Sequence, residues 1–465
     1  MRLIIIGIFA SLIVFPDASV GGFVIQTIEV MLLLGVLSTL AFGQPRLFKA
    51  ISRDYFSFGL LLFTAVAVLL LSIGLSDIRD LNHPRFHSAL PVVAYTFFYA
   101  VSSSKAMRRA AFNIMSSAML VGLLLNFLVL ARPDLPLWSS FMLVGKGASG
   151  AEMFGTGGAG QGGRISGLVL GDPIFTAAFC SICALTGLAI FSLSKARLSR
   201  IKGAALIVLG AIFLAYTQTR MLLIFSSLLV AYTIVLWFPM FRILRRWGSL
   251  ALIMCLSPFI IEVILAIFSA RGNIADETLR LEAWRNSLGI IGESAHSFFF
   301  GTGIHHFFDT TGIYHSHNLW LYTGVVYGVP MAMVFALLYL IKMREVLKTL
   351  KVRRHLIRTG CTTPDDDDII IYSTMLVFMV LLLESFVENT FFYIPRVSVF
   401  LYALLGLSKA ASENTWMGHS RGITRYPTSN KKETNTKIEG VPGDERPLRS
   451  AIECVADRVM LDTQL

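Results

Sequence analysis

The sequence predicts an all-α, polytopic integral membrane protein, and three observations lead there. Apolar residues make up 55% of the 465 and charged residues only 15%, with a mean hydropathy of +0.68; a soluble domain is roughly half apolar and about a quarter charged. The apolar residues fall in runs near the length of a membrane helix, without period-two alternation, and a backbone facing lipid must satisfy its own hydrogen bonds. Basic residues gather on every second connection between runs, as they do in cytoplasmic loops. A soluble enzyme, a secreted disulfide scaffold and a nucleic-acid binder fit this composition poorly.

Twelve runs can be placed in order. They cover Leu3 to Phe15, Val24 to Phe42, Phe56 to Ile73, Leu90 to Ser102, Ala111 to Leu130 and Ile174 to Leu193. The remainder cover Ala204 to Thr217, Met221 to Phe238, Leu250 to Phe268, Leu319 to Ile341, Ile369 to Phe386 and Val397 to Leu407. Counting basic residues outside the tail gives 22 on one side and 10 on the other. The richer side holds Arg46, Lys105, Arg108, Arg109, the cluster from Lys342 to Arg358, and Lys409, so both termini are expected in the cytoplasm. The first run is short enough for a signal peptide, but no small-x-small cleavage site follows it, and a retained helix is expected.

Residues 1–412 are therefore read as the transmembrane domain, with two long outward loops at about 131–173 and 269–317. Residues 413–465 carry eight basic and eight acidic residues and read as a disordered cytoplasmic tail, which leaves the net charge of +11 to the membrane domain. The Gly-rich stretch from Gly147 to Gly163 lacks the Gly-Lys-Ser/Thr of a phosphate-binding loop. Cys180, Cys183, Cys255, Cys361 and Cys454 all fall in apolar runs or on the inner side, so no disulfide framework is expected. The acidic run Asp365 to Asp368 precedes a helix, where negative charge suits the helix dipole; a metal site is the lesser reading.

Chemistry concentrates in the second outward loop. Five of the nine histidines lie between His296 and His317, together with Arg271, Arg280, Trp284, Arg285, Asp309 and the Gly301-Thr-Gly303 element. Metal binding, an ordinary polar loop and acid–base catalysis are all open to such a cluster, although no His-Glu-x-x-His helix is present. Glu384 and Glu388, four apart near the outer end of the eleventh run, are costly in lipid. They read either as acceptor-binding carboxylates or as snorkelling groups paired with Arg396.

His317-Asn318 followed by nine residues and Gly328 resembles the ligase signature of the O-antigen ligase and polymerase family, except that Met331 stands at its last position. Arg280-x-x-x-Trp284, Gly301-x-Gly303, Thr219-Arg220, Arg164-Ile-Ser-Gly167 and Asp172-Pro173 resemble further elements of the same family. These are bacterial membrane proteins that transfer polyprenyl-diphosphate-linked glycans outside the cytoplasmic membrane.

The resemblance implies a glycosyltransferase of the bacterial inner membrane, acting on the periplasmic face in O-antigen or exopolysaccharide biosynthesis. Its partners would be a polyprenyl-diphosphate-linked donor, a glycan or lipid-core acceptor, membrane lipids and other polysaccharide-assembly proteins, without nucleic acid. Arginine stays protonated and matches phosphate oxygens with a planar fork, so Arg220, Arg280 and Arg164 are the expected diphosphate ligands. His317 is the expected general base for the attacking hydroxyl, with His315, Glu384 and Glu388 as acceptor-binding candidates. No metal or other cofactor is expected, and a single displacement inverts the anomeric carbon. Met331 favours polymerisation over ligation. The rival reading is a transporter or flippase of lipid-linked oligosaccharide, in which ionisable residues would concentrate at mid-membrane.

Overall fold

A computed structural model describes residues 1–13, 18–20, 23–25, 27–41, 54–74, 89–131, 173–217, parts of 222–230, 275–312, 316, 318–358, 362–386 and 395–423. Its helices follow the apolar runs: α1 (Arg2–Ile13), α2 (Thr27–Ala41), α3 (Tyr55–Gly74), α4 (Leu90–Val101) and α5 (Lys105–Ala131). After the first long loop, which lies outside the described residues, come α6 (Pro173–Leu193) and α7 (Arg197–Tyr216). Between α1 and α2 the chain forms a small antiparallel hairpin, β1 (Ala18–Val20) with β2 (Phe23–Ile25), so the expected all-α class holds for the body and fails locally.

Lys105–Leu128, Thr176–Leu193 and Arg197–Tyr216 are long and apolar enough to cross a membrane. Shorter apolar helices at Arg2–Leu12, Thr27–Ala41, Tyr55–Leu71 and Leu90–Val101 accompany them. Most of the run from Met221 and all of the run from Leu250 lie outside the described residues, so the count of twelve spans is not established.

The second outward loop is built differently from its expectation. It folds as α8 (Ala275–Gly292), α9 (Ala295–Phe300) and α10 (Gly303–Thr311). Spacing explains α8: Ala283, Ser287, Ile290 and Ile291 are buried while Leu281, Glu282, Arg285 and Leu288 are exposed, a helix with one inward stripe. The run Leu319 to Ile341 is also divided, into α11 (Leu319–Tyr327) and α12 (Val329–Arg358), with Gly328 at the break and Pro330 starting the next turn. Then follow α13 (Asp366–Glu384) and α14 (Pro395–Ile423), the latter running past Glu413 into the segment read as tail.

The helices pack through small residues and aromatic rings. A Cβ on Gly203 would stand 2.7 Å from the Phe191 amide nitrogen and 2.8 Å from the Gly187 carbonyl, so α6 and α7 approach backbone to backbone. Phe56, buried on α3, meets Tyr95 of α4 and Tyr339 of α12 edge to face at 5.3 and 5.5 Å. Phe9 of α1 stacks on Phe400 of α14, and the Tyr339 and Tyr402 hydroxyls bond to each other in the core.

Loops that the charge pattern assigns to one side meet at one end of this bundle. Asp365 caps α13 by accepting from the amides of Asp367 and Asp368, while the Asp365 amide donates to Asp368, a closed capping box. Arg108 of α5, 1% exposed, donates from Nε and Nη2 to both oxygens of Asp367 at 3.0 and 2.7 Å. Arg353 of α12 grips Asp368 in the same way and also reaches Asp365, and Lys105 meets Asp365 at 2.6 Å. The hydrogen bond from Lys105 and the charge of Arg353 overcome burial and hold the Asp365 carboxyl below its usual range. The acidic run is therefore a clamp that joins three helices, α5, α12 and α13.

A second cluster sits beside it. Lys342 donates to Tyr95 and Glu345, and Lys409 bridges Glu345 at 2.7 Å and Asp54 at 3.3 Å. Burial opposes ionisation of Glu345, but Lys342 and Lys409 outweigh it and hold the carboxyl down at about 2.

Candidate active site

The opposite end of the bundle carries the residues singled out for chemistry. Asn318 is the N-cap of α11: its side-chain oxygen accepts from the Trp320 and Leu321 amides at 3.0 Å each. Its amide nitrogen donates to the Phe386 carbonyl at 2.7 Å, and the Leu319 amide donates to the Ser385 carbonyl at 3.0 Å. Two hydrogen bonds thus tie the start of α11 to the end of α13, immediately after Glu384. Ser316, fully buried, donates to the Asn318 carbonyl at 2.8 Å. His317 itself lies outside the described residues, as do His315, Arg164, Arg220 and Glu388; its two chain neighbours are the buried, bonded Ser316 and Asn318.

Glu384 is fully buried at the C-terminus of α13, where such a group is kept only with partners or a function. The described helix ends there, and the shared helix face with Glu388 is not established. Arg280 lies on α8, whose backbone is described there and whose side chain at 280 is not. Among the other loop residues, Arg285, Asp309, His296 and His306 are exposed, with His306 4.0 Å from Glu293. Among the described residues no group of three or more metal-binding side chains converges.

The glycine elements have a reason that spacing alone did not reveal. Gly301, at φ 76°, ends α9, and a Cβ there would run into the Val326 carbonyl; Gly328, at φ 90°, ends α11, and a Cβ there would run into the Phe299 carbonyl. The two positions make one reciprocal contact, backbone against backbone. The Thr302 amide completes it by donating to the Val325 carbonyl at 2.8 Å. A side chain fails at either position on two counts, since left-handed φ is strained for L-residues and the space is filled by backbone. The Gly-x-Gly element and the glycine ten residues after Asn318 therefore lock the α8–α10 unit onto α11.

Two indoles face inward on the same helices. The Nε1–H groups of Trp284 on α8 and Trp320 on α11 are enclosed and have no hydrogen-bond partner among the described residues. An enclosed donor without an acceptor costs about 1–3 kcal/mol. Trp320 also packs on Phe386, 5.8 Å between ring centres, beside the Asn318 tether. Ser385 and Phe386 carry no signal in the sequence, because their role is played by backbone carbonyls.

No curated protein sequence matches the chain. Residues 177–336 match the sequence profile of the O-antigen ligase family, a segment running from α6 into α12 that contains Arg220, Arg280, Gly301, His317, Asn318 and Gly328. Over that segment, about a third of the chain, the sequence is similar to the O-antigen ligase family.

Proposed function

We propose that the protein transfers a glycan from a polyprenyl-diphosphate donor to an acceptor sugar at the periplasmic face of the bacterial inner membrane, with both termini cytoplasmic. Polymerisation of repeat units is favoured over ligation to a lipid core because Met331 departs from the ligase signature. The observation that carries this reading is that the family match encloses the one stretch where Asn318, Gly301 and Gly328 brace the chain around His317.

In this reading Arg220 and Arg280, with Arg164, neutralise the charge that develops on the departing diphosphate. His317 takes the proton from the attacking hydroxyl as the glycosidic bond forms, and the anomeric carbon inverts. Its chain neighbours Ser316 and Asn318 are both held by hydrogen bonds, and positioning is where much of an enzyme's acceleration arises. Glu384, with His315 and Glu388, binds the acceptor. Because arginines carry the phosphate charge, no divalent ion takes part.

The test is a proteoliposome assay with lipid-diphosphate-linked oligosaccharide and glycan acceptors, with and without EDTA. A ladder of extended products, unchanged by EDTA, is expected. Movement of intact donor across the bilayer without transfer to any acceptor overturns the reading in favour of transport. Loss of transfer in EDTA that added metal restores overturns the metal-free clause.

A further inference from the structure

The short helix α9 is built inside out. Its buried residue is Ser297, whose hydroxyl bonds the Ser294 side chain, whereas Phe298, Phe299 and Phe300 are 41%, 53% and 52% exposed. Three consecutive exposed phenylalanines, with Ser297 turned inward and His296 the one exposed polar side chain, are not the pattern of a helix that faces water.

The position of α9 along the bundle explains the inversion. Phe299 and Phe300 lie with their backbone against Gly328, at the start of α12. From Gly328 the exposed face of α12 is Pro330, Met333, Val334, Leu337, Leu340 and Ile341, all apolar, until Arg344. The charged belt begins at Lys342, about 21 Å along the helix from Gly328. A bilayer's hydrocarbon layer is about 30 Å thick, so if the belt marks one boundary, α9 lies inside the layer and short of the other boundary. Helix tilt only deepens it. Leu383 and Phe386, also exposed, extend the same apolar surface at the end of α13.

We infer that α9 is a wedge whose three phenylalanines insert among the lipid acyl chains of the leaflet distant from the ion-pair belt, fastening the α8–α10 unit to the bilayer. The occupant of this surface is bulk lipid, because the patch continues into the exposed apolar face of α12, from Pro330 to Ile341. The inference rests on the membrane reading and is independent of the transferase reading.

The experiment places the photoreactive residue p-benzoylphenylalanine at Phe299 in the full chain, reconstituted into nanodiscs of phosphatidylethanolamine and phosphatidylglycerol, and scores lipid adducts by mass after illumination. Leu337 serves as the lipid-facing standard and Asp309, exposed and polar, as the water-facing one. Adducts at Phe299 within about twofold of those at Leu337, and well above Asp309, are expected. A yield at the Asp309 level overturns the inference. So does a covalent dimer as the main product, which would make the patch an interface between copies, and so do adducts that form only when a polyprenyl-diphosphate lipid is added. If the Phe299 variant does not fold, the probe at Phe298 or Phe300 gives the same decision.

Discussion

At one end of the bundle Arg108, Arg353, Lys342 and Lys409 are matched against Asp367, Asp368, Asp365, Glu345 and Asp54, nearly all of them buried or half-buried. At the other end the contacts that join the described elements run through the backbone: two tethers to carbonyls from Asn318 and Leu319, and the reciprocal contact of Gly301 with Gly328. Charges that neutralise one another fix helix register and have nothing left to offer a substrate. The arginines and histidines proposed to meet substrate belong to that second end. The chain thus separates the polar groups that hold it together from those proposed to react.

The sharpest way to break this comparison is to unbalance the charged end. Asp367→Ala leaves the guanidinium of Arg108 buried and unmatched, and a loss of about 3–5 kcal/mol is expected from unfolding in detergent. The double replacement Arg108→Met with Asp367→Leu should recover most of that, since an apolar pair can substitute for a buried ion pair. Failure of the double variant to recover would mean that the clamp sets register and not merely charge balance.

Acid should loosen the same end next. Glu345 has a folded value of about 2 against an ordinary 4.5, so its stabilisation is fully present above pH 4.5 and lost as pH falls toward 2. The loss over that window is about 3 kcal/mol, read as a fall in Tm that Glu345→Gln should flatten.

At the second end the expected costs are smaller. Gly328→Ala strains a left-handed position and meets the Phe299 carbonyl, which should cost about 1–3 kcal/mol and loosen α8–α10 first, seen as faster hydrogen exchange in that segment. Asn318→Ala removes a cap and a tether at about 1 kcal/mol, while transfer should fall much further than stability. Arg109→Ala, which breaks an exposed pair with Asp366, should change stability by less than about 0.5 kcal/mol and leave transfer unchanged.

Much of this arrangement was readable in the residues. Apolar runs gave α1 to α4, α6 and α13 within about three positions, while α5, α7, α12 and α14 extend well past their runs into polar sequence; alternating basic clusters put Lys105, Arg353 and Asp365 on one side, where they do meet. Asp365 and Asn318 are strong cap residues standing just before helices, and both act as caps. What hydropathy could not register was the break at Gly328, because glycine does not interrupt an apolar run; the nearby Pro330 was the available signal. Nor could spacing reveal that Gly301 and Gly328 touch, since that contact joins separate helices through backbone. Length and polarity alone mark the segment of α8 to α10 as a connection and do not show its helices, although positions 283, 287, 290 and 291, all buried, follow helical spacing.

The most direct test of the separation compares transfer from lipid-diphosphate-linked oligosaccharide by wild type with His317→Ala, Arg220→Ala and Arg280→Ala, each checked for unchanged unfolding. Turnover should fall at least about 100-fold for His317→Ala and by a comparable factor for the two arginine variants, with stability intact. Near-normal turnover in all three would contradict it.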